Sequence, residues 1–113
     1  MSEPSARSGP VAAVVVIVAK SGRADDLAAL LTRMAEAATD EGTDAYAVHQ
    51  DSRQPERFFL FEHYRDRTAF TLHRGNETLN SLGEQLGELA ESTEIILGRP
   101  LPGSRPPGAS PRG

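Results

Sequence analysis

The chain has 113 residues, with 16 acidic and 12 basic side chains and a formal net charge of −4. That length suits one domain, and that balance argues against a generic nucleic-acid binder, which needs a clustered basic face. There is no cysteine, so disulfides, iron–sulfur clusters, thiolate zinc sites and a cysteine nucleophile are excluded.

Hydrophobic residues make up 38%, enough for a small core. A chain this short is still a marginal monomer and gains from oligomerising. The composition suits a cytoplasmic protein.

The ends differ from the middle. Residues 1–10 (MSEPSARSGP) are polar and aperiodic, and read as a disordered N-terminal segment. Residues 98–113 hold five of the eight prolines, four of the ten glycines, three arginines and no acid. Such a stretch cannot bury enough apolar surface to offset its ordering entropy. A domain over 11–98 and a disordered tail over 99–113 are therefore expected. The three arginines of the tail leave the body at nine bases against 16 acids, or −7. The tail reads first as a solvated terminus; its charge would also let it touch that acidic body or an anionic partner.

The first element is a strand, Val11–Ala19. Its apolar run follows Arg7 as in a signal peptide, but it is short, lacks an A-x-A site and is closed by Lys20. It is mostly β-branched, which favours a strand buried on both faces. Nothing in the chain is long enough to span a membrane. Lys20–Arg23 turns into a helix, in which Leu27, Leu30, Leu31, Met34, Ala35 and Ala38 share one face. Asp25 and Asp26 occupy its first turn, where the helix dipole favours them. Gly42 after Glu41 reads as its stop.

Strands over Asp44–Gln50 and Arg57–Arg65 flank the loop Asp51–Glu56, a hairpin pattern. Asp66 is a good N-cap for a short helix, Arg67–His73. Gly75-Asn76 breaks that helix, and Asn76 can cap a longer one carrying Leu79, Leu82, Leu86 and Leu89. A last strand covers Thr93–Leu97, before Pro100. The order β-α-β-β-α-β predicts an α+β fold, a ferredoxin-like antiparallel sheet with helices on one face. Val14, Val16, Phe59, Phe61 and Ile96 are too many apolar residues for strands covered on one side. The second face then needs cover, most simply from a second copy.

All six aromatics (Tyr46, Phe58, Phe59, Phe61, Tyr64, Phe70) lie between positions 46 and 70, and His49, His63 and His73 between 49 and 73. They can line a cavity with a few polar groups, or form a strand core, or both. A three-histidine metal site is weakened by geometry. A hairpin turning near residue 54 pairs His49 with a residue near 59. His63 then lies roughly 13 Å farther along, too far to share a zinc ion with bonds of about 2 Å.

His73 ends the short helix and is a candidate general base or hydrogen-bond donor, or else a capping or packing histidine. Glu62 stands among aromatics, and burial there would raise its pKa; the alternative is an exposed or ion-paired strand residue. Tyr64 shares the strand face of Glu62 by period 2, so the two can act together. Gly83 and Gly87 each cost the longer helix up to about 1 kcal/mol against Ala. Gly83 borders the leucine stripe and either leaves room for a ligand or allows close helix–sheet packing. No Gly-rich phosphate loop, G-x-S-x-G elbow or H-E-x-x-H stretch occurs.

Three stretches together resemble a known family: VVVIVAKSGRADDLAALL, EGTDAYAVHQD and above all RFFLFEHYRDRTAFTLH. The chain is similar to the antibiotic biosynthesis monooxygenase (ABM) domain family, closest to its small quinol-monooxygenase-like members. The resemblance covers about residues 12–98. It implies a homodimeric α+β barrel in which two four-stranded sheets meet with helices outside. It also implies oxygenation of a small phenolic or quinol compound by O₂ without metal, flavin, haem or any other cofactor. Glu62 matches the family's common strand glutamate, and His73 the histidine at the end of the short helix. Tyr64 stands where many members have tryptophan, and Asn76-Glu77-Thr78 where a second histidine often follows. Related haem-degrading members use an Asn, a Trp and a His; the missing Trp and second His disfavour that activity.

The expected function is therefore a cofactor-independent monooxygenase acting on a small aromatic molecule, with no nucleic-acid or membrane partner. His73 would handle the proton, Tyr64 and Glu62 would orient the substrate, and Phe58, Phe70, Tyr46 and Gly83 would shape its pocket. The alternatives are a non-catalytic barrel that binds a small hydrophobic ligand or serves as an interaction module, and an isomerase or cyclase on the same scaffold.

Overall fold

A computed structural model describes residues 9–105. Residues 1–8 and 106–113, which hold most of the expected N-terminal segment and the end of the expected tail, lie outside the described residues.

The β-branched run forms β1, Val11–Ala19, with Ala13, Val15, Ile17 and Ala19 buried and the alternate residues half-buried. Helix α1, Ala24–Ala37, buries Leu27, Leu30 and Leu31 and keeps Asp25 and Asp26 in its first turn. Strands β2, Thr43–Gln50, and β3, Arg57–Tyr64, form the hairpin. Two helices follow: α2, Arg67–Arg74, and α3, Glu77–Leu89. The last strand is β4, Ala90–Gly98.

The sheet order is β2-β3-β1-β4, and every neighbouring pair is antiparallel. This is the ferredoxin-like α+β arrangement expected from the element order. Register sets Ile17 opposite Phe58 and Val15 opposite Leu60. Those four side chains, with Leu27, Leu30, Leu31 and Leu89 from the helices, form the core. Each such buried aliphatic side chain contributes about 1.5–3 kcal/mol. Among the described residues, no helix is long and apolar enough to cross a membrane.

Two expectations need correction. Helix α1 stops at Ala37, well before Gly42. Gly42 has φ +86 and an added Cβ would clash with Ala69 Cβ. The glycine is required where the chain entering β2 passes under α2, rather than as a helix stop. Strand β4 begins directly at Ala90 and not at Thr93. Its first residues are polar because it is an exposed edge strand, so they lack a strand's apolar signature. Within this one chain β1 is covered on one face only, the other face being the one expected to need a second copy. The helices share a single side of the sheet, and on the other side Phe61 is 43% and Ile96 54% exposed.

The helix junctions are tied by one side chain. Asn76 accepts at Oδ1 from the Leu79 amide and donates from Nδ2 to the Ala37 carbonyl and to Asp40 Oδ2. It caps α3, gives the last carbonyl of α1 a second donor beside the Thr39 amide, and fixes the loop between α1 and β2. Asp66 caps α2 by accepting from the Ala69 amide.

Candidate active site at the polar end of the sheet

The helix-facing positions of β3 read Phe58, Leu60, Glu62, Tyr64. The first two lie in the core; the last two begin a polar site. Across the sheet Glu62 stands between Tyr46 on β2 and the small Ala13 on β1. The Tyr64 hydroxyl donates to Glu62 Oε1 at 2.6 Å. Helix α2 then brings His73 over the pair, its ring centroid 4.9 Å from that of Tyr64 and 5.5 Å from that of Tyr46. Phe70, one turn earlier, packs against Tyr64 at 5.4 Å.

His73 sits between two carboxylates. Its Nε2 is 3.8 Å from Glu62 Oε1, and its Nδ1 is 3.8 Å from Asp40 Oδ2. Both distances exceed hydrogen-bond length. The buried Nδ1 has no hydrogen-bond partner among the described residues. Leaving such an atom unmatched costs about 1–3 kcal/mol, a cost that packing alone does not explain.

Burial sets the protonation pattern. It pushes the Glu62 carboxyl above the usual carboxylate range, although the Tyr64 hydrogen bond works the other way. It depresses the His73 imidazole, against the pull of the Asp40 charge. Burial also raises both Tyr46 and Tyr64, which remain neutral donors. The site therefore offers a neutral imidazole beside a carboxyl that resists ionising.

Two clefts meet at His73 and Arg74. One, about 480 Å³, includes Met34, Tyr46, Leu79 and Gly83. The other, about 360 Å³, includes Ala13, Val15, Glu62, Phe70, Ile95 and Leu97. Each is large enough for a small molecule.

The structure thus gathers His73, Glu62, Tyr64, Tyr46 and Phe70 around one point. Phe58 does not join them. It is 1% exposed in the core and lines neither cleft, so its expected place as a pocket wall is corrected. Its position four residues before Glu62 on the same strand face sets it roughly 13 Å away. Tyr64 is wholly buried and reaches the cleft only through Glu62. A Cβ on Gly83 would meet nothing within 4 Å. Its absence therefore widens the cleft and is not needed for close packing. His49 and His63 lie on the other sheet face. His49 stacks on Phe59 at 4.9 Å, opposite it in register, and His63 contacts Asp44 at 3.2 Å. Among the described residues no cluster of three His, Cys, Asp or Glu side chains is arranged to hold a metal ion.

Sequence reasoning missed Asp40 and the second role of Asn76. Asp40 lies 33 positions from His73, and no periodicity links them. The one available signal was Asn76 itself, a cap residue that has a free amide once its carbonyl is used.

Residues 10–85 match the family described as antibiotic biosynthesis monooxygenase. Among solved structures, Rv0793 from Mycobacterium tuberculosis is 26% identical with a TM-score of 0.78, covering 86% of this chain and 100% of its own. PA3566 from Pseudomonas aeruginosa is 25% identical with a TM-score of 0.76, covering 84% and 97%. A candidate antibiotic biosynthesis monooxygenase from Deinococcus radiodurans shares the fold at 23% identity and a TM-score of 0.77, covering 87% and 99%. No protein of curated function matches significantly. With the ferredoxin-like sheet, the carboxyl–imidazole site and a match over two thirds of its length, the chain belongs to the antibiotic biosynthesis monooxygenase family.

Proposed function

We propose that the chain is a cofactor-independent monooxygenase that oxidises a small phenol or quinol with O₂, as a cytoplasmic homodimer. The observation that carries this reading is the half-buried His73 imidazole. It is kept neutral by desolvation, has an unmatched Nδ1 and borders both clefts.

A quinol is itself the reductant. It gives an electron to O₂ while His73 takes the hydroxyl proton. Losing the electron makes that proton strongly acidic, so a base of depressed pKa suffices. The resulting radical pair forms the carbon–oxygen bond. The peroxide then loses water, leaving a hydroxyquinone. One quinol and one O₂ give one hydroxyquinone and one water, so no outside reductant is needed. Glu62, held by Tyr64, orients the reacting hydroxyl. Phe70 and Leu97 supply apolar walls that keep water from competing for it.

The dimer rests on the open sheet face, where Val14, Val16, Phe59, Phe61 and Ile96 form an apolar surface without cover from this chain. A second copy that buries it completes the barrel. Sedimentation should give about twice 12.1 kDa, and Phe61→Asp should shift the protein toward monomer.

The activity is tested by oxygen uptake with metal-free protein over a panel of quinols and polycyclic phenols. Uptake above autoxidation that falls in His73→Ala supports the proposal. Tight binding across the panel with no uptake would replace it with a ligand-binding barrel.

A further inference from the structure

The cleft beneath Glu62 does not end at Phe70. A neighbouring cleft of about 280 Å³ shares Phe70 and Leu97 with it and is closed by Arg67 and Arg99. Together they make one groove. Its inner end holds His73 and Glu62, its middle is aromatic and aliphatic, and its outer end is basic.

Three arginines gather along this groove in a chain whose acids outnumber its bases. Among the described residues Arg23, Arg57 and Arg65 each face a carboxylate. Arg67, Arg99 and the adjoining Arg74 form no ion pair among the described residues, as is also true of Arg33, Arg53 and Arg105, but Arg67, Arg74 and Arg99 converge on one groove. Asp66, next to Arg67, is engaged in capping α2 and lies 3.8 Å from Arg65 Nε. Glu62, the one acid in the groove, is taken up by Tyr64 at the far end. Arg74 is drawn over the Phe70 ring, its guanidinium carbon 5.7 Å from the centroid, which adds positive charge along the groove wall. A solvated surface arginine needs no concave apolar neighbour; these flank one.

We infer that the groove takes an aromatic carboxylate, with its hydroxyl at His73 and its carboxylate between Arg67 and Arg99. The inference rests on the proposed function, whose substrate class it narrows. Guanidinium groups match a carboxylate's planar pair of oxygens, and the apolar middle matches a flat ring. A neutral phenol would leave the basic end unused.

The test is calorimetric titration of the full chain with 4-hydroxy-1-naphthoate and, separately, with 1-naphthol. These share a ring and hydroxyl and differ in the carboxylate opposite. The acid should bind at least about tenfold tighter, as expected for charge-assisted hydrogen bonds. That advantage should shrink with added salt and disappear in Arg67→Gln/Arg99→Gln. Both positions are exposed, so the double variant should keep its fold, and each single variant provides an intermediate check. Equal affinities, an advantage that survives the double variant, or no binding of the acid would each overturn the inference. Selective binding of the acid without oxygen uptake would keep this ligand class and remove the catalytic reading. Uptake without preference for the acid would do the reverse.

Discussion

One face of β3 carries two environments. At its start Phe58 and Leu60 are 1% and 2% exposed against Val15, Ile17 and the leucines of α1. Two pleats on, Glu62 and Tyr64 meet Tyr46, His73 and Asp40, with one buried nitrogen unmatched and a carboxyl held against its preference to ionise. The helices cover both halves. The first is what burial alone selects, and stability rises with every apolar atom added. The second costs desolvation and gains only part of it back in hydrogen bonds. Stability alone does not select such a patch, and the proposed site would account for it.

Substitutions should separate the two halves. His73→Ala should lower any oxygenase turnover by about 10²–10⁴-fold, the usual range for removing a general base, while changing the melting temperature little. Leu30→Ala should do the opposite, costing about 2–5 kcal/mol by leaving a cavity in the dry half. Chemical denaturation of both variants, alongside oxygen uptake, checks the pair. Equal losses of stability would mean that the halves are not distinct.

Converting the polar half sharpens the comparison. In Glu62→Leu/Tyr64→Phe both hydrogen-bond partners leave together, so stability should stay within about 1 kcal/mol of the parent or rise. Oxygen uptake should fall to background. A large loss of stability would show that the carboxyl–hydroxyl pair is structural.

The pH response has a definite sign. His73 is depressed below its ordinary value of 6.5 by burial, so the unfolded chain takes up its proton first. Stability should therefore fall as pH drops from 6.5 toward the depressed value, and then level off. Denaturation midpoints of His73→Gln should be flatter across that window. A parallel slope in the variant would place the proton uptake elsewhere. The smallest effect is Gly83→Ala. It should stabilise α3 by up to about 1 kcal/mol, because nothing obstructs the methyl group, and slightly weaken a ligand that fills the larger cleft.

The sheet was readable from the sequence because its strands are short, apolar and bounded by turn residues. The hairpin even showed that His49 stands opposite residue 59, a register the structure keeps. Element ends were less legible. The end of α1 at Ala37 is tied to Asn76, whose amide reaches back 39 positions to that carbonyl. The pairing of Glu62 with Tyr64 followed from a period of two, while the placing of Phe58 beside them did not. Sharing a strand face fixes direction but not distance, and four residues span more than a small pocket. The open sheet face was visible as surplus apolar residues. Within one chain that face has no cover, and β1 alone does not say what would supply it.

The central claim is that oxygen enters a substrate held by His73 without an added cofactor. The direct measurement is mass spectrometry of the product formed by metal-free protein under ¹⁸O₂, with His73→Ala alongside. The account predicts one labelled oxygen in the hydroxyquinone, formed far faster by the parent chain than by the variant. Product without label, or label gained equally fast by both proteins, would contradict it.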